Sequence, residues 1–275
     1  MPNPPEPSPS TAVQAFDALA PLFDVRFGAW KSVAAQRAAV RAELLAAFNP
    51  GASLLELGGG TGEDALYLAE HGFRVHLTDG SSAMINRARE KVLSARCEDR
   101  VTLQCLAIEA LSALPDGAAF DGCFSNFAAF NCVEDCSVPA RALARVLAPG
   151  ALALFVIFGP CCPGEMLTLL LRGEGSRAFR RLSRHGVAAR AGGHSFTVFY
   201  PTPGAFARSF APWLRIRHVK GAGIFVPPSS AEPWISEHPR LLTLMQRLDR
   251  ATSSPLALLG DHVMVTLERT GAPVV

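Results

Sequence analysis

Leu54-Leu55-Glu56-Leu57-Gly58-Gly59-Gly60-Thr61-Gly62-Glu63-Asp64 decides how this chain is read. It begins as an apolar strand carrying one carboxylate, Glu56, and runs into a turn with glycines at 58, 59, 60 and 62. Glycine admits positive φ and brings a ligand close to main-chain N–H groups. The helical segment that follows, Ala65 onward, stops at Gly72. Strand, glycine turn and helix N-terminus in this order make a nucleotide-cradling βα unit.

Two details narrow the nucleotide. A dinucleotide loop reads G-x-G-x-x-G, and counting from Gly58 puts Glu63 where the third glycine belongs. Glu63, Asp64 and Glu56 together would repel a pyrophosphate and favour a cationic ligand without phosphates. S-adenosylmethionine, with its sulfonium and α-amino charges, fits. The next strand, Phe73 to Asp79, ends in an acid about 20 residues past the turn, where a carboxylate accepts bonds from ribose hydroxyls. Both readings use Asp79, so loop spacing and Glu56 do the discriminating.

Residues 52–158 resemble the core of a class I S-adenosylmethionine-dependent methyltransferase of the bacterial small-molecule type, similar to methyltransferase types 11 and 25. The matching pieces are LLELGGGTGEDALYLA, VHLTDGSSAMINRARE, FDGCFSNFAAFNCVED and ARVLAPGALALFV, in that order. The resemblance implies a Rossmann-like, doubly wound α/β fold: a seven-stranded sheet, mostly parallel with a late antiparallel strand. It implies that Glu56, Gly58, Gly59, Gly60, Thr61 and Gly62 surround the methionine half of the cofactor. Asp79 and Gly80 would lie at the ribose, Met84 against adenine, and Asn126 and Phe127 beside the transferred methyl. Relatives often carry an acid after the third strand, where this chain has Leu106. Backbone groups of Ala107 and Ile108, or Glu109 in a shifted register, would serve instead. Phe16 and Phe23 resemble an aromatic N-terminal segment that closes over the cofactor, and their rings could face the sulfonium.

The chain's 275 residues, 49% hydrophobic, suffice for one large α/β domain, expected over 11–275. Residues 1–10 are rich in proline and polar residues and read as a disordered tail. Net charge is +2, too small to imply a nucleic-acid or membrane surface. Ala151 to Phe158, the longest apolar stretch, is too short to span a bilayer and reads as a buried parallel strand. A cytoplasmic protein acting on a small molecule is expected, with oligomeric state open. Seven cysteines at 97, 105, 123, 132, 136, 161 and 162 read as reduced thiols, mainly packing residues rather than metal ligands. Cys132 and Cys162 follow strands whose ends face the expected pocket.

Helices are expected near 11–22 and 30–48, followed by alternating strands and helices to about 158. Ser81 and Ser137 are candidate N-caps. Such alternation implies a parallel sheet with ligands beyond the carboxyl ends of its strands. Residues 160–200 depart from this core and read as a lid: an apolar helix, an arginine-dense helix, a glycine break and a strand, His194 to Tyr200. Arginines at 172, 177, 180, 181, 184 and 190 face one acid, Glu174, within 172–190. They suit either an anionic substrate or a solvated face paired with acids elsewhere.

Methyl transfer from an activated sulfonium needs alignment above all, and orientation supplies roughly 7–11 kcal/mol of barrier reduction. A base is needed only where the acceptor must lose a proton early. His194 and Tyr200 are the catalytic candidates, ahead of His185, Glu165 and His262. Two other readings stay open: a nicotinamide-dependent oxidoreductase, and a non-catalytic cofactor-binding regulator.

Overall fold

A computed structural model describes residues 10–115, 119–183 and 185–274. Most of the segment read as a disordered tail, 1–9, lies outside the described residues. Two N-terminal helices, α1 (Thr11–Gly28) and α2 (Lys31–Ala47), precede an alternating core. That core consists of β1 (Ser53–Leu57), α3 (Glu63–Glu70), β2 (Arg74–Asp79), α4 (Ser82–Ala95), β3 (Val101–Cys105), β4 (Phe120–Ser125), α5 (Ser137–Val146) and β5 (Leu147–Phe158). After it come α6 (Pro163–Leu171), α7 (Gly175–Ala178), β6 (Val187–Ala191), β7 (His194–Val198) and α8 (Pro203–Arg208). The chain closes with β8 (Leu214–Ala222), α9 (Pro239–Thr252) and β9 (His262–Arg269).

Seven strands form one sheet in the order β3-β2-β1-β4-β5-β9-β8. β1 to β5 pair in parallel, and β9 lies antiparallel between β5 and β8. The expected seven-stranded, mostly parallel α/β fold with one late antiparallel strand is the observed one. Helices on both faces explain why β1 is apolar on successive residues: Leu55 and Leu57 join a core with α5 and α8, while Leu54 joins another with α2, α3 and α4. All three leucines are fully buried, about 1.5–3 kcal/mol of transfer free energy each.

Ser81 caps α4, its Oγ accepting the Met84 N–H at 3.1 Å. Ser137 does not cap α5. It is the helix's first residue, and Asp135 Oδ1 accepts its N–H at 2.8 Å, satisfying an exposed donor from outside the helix.

The arginine-dense helix is also corrected. Between α6 and β6 the described residues make only the four-residue α7 and a 3-10 turn at Arg180–Leu182, where Arg180 and Arg181 both reach back to Glu165 on α6. The strand at 194 belongs to a two-stranded hairpin, β6–β7, separate from the main sheet. Fully buried Asn131 ties its exit to the core, donating to the Phe199 carbonyl at 2.6 Å and accepting the Phe158 N–H at 3.0 Å.

Candidate functional site

Loops at the carboxyl ends of β1, β2, β3 and β4, together with α1 and the 176–200 segment, enclose a cavity of about 850 Å³. The glycine turn forms its floor. Gly58 and Gly60 have φ of +65° and +56°, and a Cβ on Gly58 would lie 2.5 Å from Ala129 Cβ. A Cβ on Gly59 would lie 2.5 Å from Leu77 Cγ and 2.8 Å from Glu56 Cδ. Leu77 is fully buried and has nowhere to yield. Gly59→Ala is therefore expected to cost about 1–3 kcal/mol, read as a lower urea midpoint at unchanged slope.

Asp79 orders the facing loop. Its Oδ2 accepts the Gly60 N–H and its Oδ1 the Ser81 N–H, both at 2.8 Å. Burial nonetheless raises its carboxyl above the usual range against these two bonds, with Asp17 adding to the rise. Each oxygen keeps a lone pair for a further donor.

Glu56 is the unusual group. It is 2% exposed, it lines the cavity, and its Oε2 finds no hydrogen-bond partner among the described residues. Burial, reinforced by the Asp64 and Asp79 carboxylates, holds its carboxyl well above the usual range despite Arg37 and Arg41. The other two acids of the turn are compensated. Glu63 pairs with Lys91 at 2.7 Å, and Asp64 takes Arg37 at 2.9 Å and Arg41 at 2.7 Å. Glu56 is thus the one acid of the turn with no ion-pair partner among the described residues.

Asp64 is also a hub that loop spacing did not reveal, since it accepts Asn126 Nδ2 at 2.8 Å. Arg37 lines the cavity and lies over the Phe127 ring at 4.6 Å. The signal in the sequence was the i, i+4 arginine pair 37 and 41 on one face of α2. Phe127 and Ala128 take φ of +48° and +64°, two successive left-handed non-glycine residues at the end of β4. Such strain persists where surrounding contacts impose it, here the Ala128 N–H to Val156 carbonyl bond at 2.9 Å.

α1 covers the cavity by two acidic tethers. Asp17 accepts from Ser81 Oγ at 2.6 Å and the Ala83 N–H at 3.0 Å, while Asp24 accepts from Thr61 Oγ1 at 2.6 Å and pairs with Lys91 at 2.8 Å. Phe16 meets Phe196 of the hairpin with ring centroids 5.9 Å apart.

Phe16, Glu56, Gly58, Gly59, Gly60, Thr61, Asp79, Gly80, Met84, Ala107, Ile108, Asn126 and Phe127 all line this cavity, as do Phe23 and Glu109. Gly62 does not; it sits behind the loop at the α3 N-terminus with φ +81°. Of the two catalytic candidates, Tyr200 lines the cavity, while His194 is exposed beside the hairpin turn, paired in register with Ala191. Glu165 is committed to Arg180 and Arg181. His262 is buried and donates from Nδ1 to Gln36 Oε1 at 2.8 Å. Cys132 lines the cavity with its thiol pushed up to about 11 by burial, so it is protonated at neutral pH. No group of three metal-ligating side chains occurs among the described residues, and none of their helices is long and apolar enough to cross a membrane.

Comparison with known proteins supplies context for this geometry. Residues 54–150 match the model of a methyltransferase domain family. A malonyl-[acyl-carrier protein] O-methyltransferase of Halorhodospira halophila is 32% identical over 163 residues, 54% of this chain and 53% of that protein. An S-adenosyl-L-methionine-dependent Diels-Alderase of Talaromyces variabilis is 36% identical over 80 residues, 29% of this chain and 27% of that one. The chain thus spans about half, or less, of these relatives' length. Among solved structures, the Burkholderia thailandensis 1,6-didemethyltoxoflavin-N1-methyltransferase, bound to 1,6-didemethyltoxoflavin and S-adenosylhomocysteine, superposes with a TM-score of 0.58. That match has 19% identity and covers 98% of this chain and 93% of the other, a likeness of fold.

Proposed function

We propose that this chain, whose residues 54–150 match a methyltransferase domain family, is a class I S-adenosylmethionine-dependent enzyme that transfers the methyl group of S-adenosylmethionine to a small-molecule acceptor. One observation carries the reading: at the floor of a glycine-lined cavity a buried carboxyl oxygen, Glu56 Oε2, has no hydrogen-bond partner among the described residues. An unpaired buried acid calls for a cation. The α-ammonium of the cofactor's methionine half supplies one, and the sulfonium adds positive charge nearby. A pyrophosphate would meet the same carboxylate unfavourably, which disfavours the nicotinamide reading.

Other residues fit the rest of the molecule. Arg37 brings a guanidinium to the cavity for the methionine carboxylate. Asp79, with lone pairs left on both oxygens, suits the ribose hydroxyls. Met84, Ala107 and Ile108 offer an apolar slot for the adenine, closed by Phe16 of α1.

Bound S-adenosylmethionine would supply an already activated methyl group. The chain's own task is then to orient and to exclude water. Asn126, fixed by Asp64, and Phe127, held in its left-handed conformation, form a rigid wall where the acceptor would approach. Such positioning accounts for catalysis without a triad. Tyr200, whose ring lies 5.9 Å from that of Phe158, is the candidate to orient an acceptor or take its proton. His194, exposed at the hairpin, is left without a role.

Calorimetry with S-adenosylmethionine against NAD tests the reading, and preference for NAD would reject it. Asp79→Ala should weaken S-adenosylhomocysteine binding by about 1–3 kcal/mol, or roughly 5–150-fold. Unchanged affinity would remove Asp79 from the site.

A further inference from the structure

The cavity is electrically divided. Its acidic side chains, Glu56, Asp64, Asp79 and Glu109 among them, come from the glycine turn and the neighbouring strand ends, with Arg37 beside them already paired to Asp64. The 160–200 segment contributes three arginines to the lining, Arg177, Arg180 and Arg190, and no carboxylate among the described residues. The acids that hold two of these arginines lie outside the lining: Glu174 pairs with Arg177, and Glu165 pairs with Arg180 at 2.6 Å. A guanidinium presents five N–H donors, so each keeps donors to spare. Arg190 has no ion-pair partner among the described residues. Phe158, Val187 and Val198 line the same cavity.

From this division we infer that the methyl acceptor is an organic anion: an apolar body carrying a carboxylate or a phosphate that Arg177, Arg180 and Arg190 engage. The inference rests on the methyltransferase reading, which assigns the acidic half to a cationic cofactor and so leaves the basic half to the acceptor. Guanidinium is the cation suited to both oxyanions through paired N–H donors. Arg190 carries most of the selectivity, because its charge is the one not already compensated. Tyr200 lines the same cavity.

The test uses the full chain saturated with S-adenosylhomocysteine and titrated calorimetrically with benzoate and phenyl phosphate, against the neutral benzamide and benzyl alcohol. At least one anion should bind about tenfold or more tightly than its neutral counterpart, and the stronger of the two identifies the oxyanion. Arg190→Glu should shrink that gap at least about fivefold, and Arg190→Gln by less, since only the first reverses the charge. Equal binding of anions and neutral analogues, or a gap indifferent to Arg190→Glu, would overturn the inference. Failure of S-adenosylhomocysteine to bind would instead strike the methyltransferase reading, and the anion titrations on the ligand-free chain would still decide whether the arginines select an oxyanion.

Discussion

Glu56→Gln should make the ligand-free protein more stable at neutral pH while weakening its hold on S-adenosylmethionine by roughly 10–150-fold. The native environment raises the Glu56 pKa by burial and by the neighbouring Asp64 carboxylate. A carboxyl whose folded pKa lies above its unfolded value contributes stability below the unfolded value, near 4.5, and loses it as pH rises through the folded one. Above the unfolded value, folding this buried carboxyl is therefore a cost, and it is still present at neutral pH. Relieving a buried unsatisfied charge should recover about 1–3 kcal/mol, or several degrees in Tm. The gain should vanish below the ordinary carboxylate range, where wild-type Glu56 is protonated.

Binding should move the other way. Losing a charge-assisted bond to the ligand's ammonium costs about 1.5–3 kcal/mol, roughly 10–150-fold in Kd. Wild-type affinity should also rise with pH between the ordinary carboxylate range and the raised value, because the cation binds the ionised form and expels a proton. Calorimetry in buffers of different ionisation enthalpy reads that proton directly. Unchanged affinity in Glu56→Gln, with no proton released by the wild type, would contradict this account of the cavity floor.

Arg181→Met is expected to be the most damaging single change outside the cavity. Arg181 is 5% exposed and binds Glu165 at 2.7 Å, Asp261 Oδ1 at 2.6 Å and the Asp261 carbonyl at 2.7 Å. Removing it leaves Asp261 buried with Gln36 as its remaining strong donor, at 3.3 Å, while Arg180 still holds Glu165. Breaking a buried pair from one side costs about 3–5 kcal/mol. Burial alone would raise the Asp261 carboxyl, but His262 and Arg181 overcome it and hold the group below its usual value. Its stabilisation is present above the unfolded value near 3.8 and lost as pH falls through the lowered one. The variant's deficit should accordingly shrink in acid. Arg181→Met/Asp261→Asn should regain part of the loss at neutral pH, because the stranded charge is gone. Urea titrations at neutral and acidic pH test both statements, and equal deficits at the two pH values would refute the first.

How far each feature was legible follows from how local its cause is. Strand β1, the glycine turn, Asp79 and the Ser81 cap are specified by neighbours a few residues away, through backbone freedom, period and side-chain reach. The core order and the lining of the cavity floor could be read for that reason. Strand β6, Val187–Ala191, is not legible in the sequence because its small residues carry no alternating pattern and it forms by pairing with β7. That pairing places His194 at the solvent end and Tyr200 at the cavity, a division invisible in a list of nearby polar residues. The supposed arginine helix breaks because Glu165 draws two of its members back across the chain.

Sequence alone determined the α/β architecture, the glycine cradle and the acid at the second strand's tip, since each depends on short-range geometry that any surroundings would preserve. Tertiary structure decided which charges survive. Lys91, Arg37 and Arg41 arrive from helices far along the chain to neutralise Glu63 and Asp64, and among the described residues nothing pairs with Glu56 Oε2 or Arg190. Charge compensation acts through space over a few ångströms, so only the folded arrangement could show which charged groups are paired and which are not.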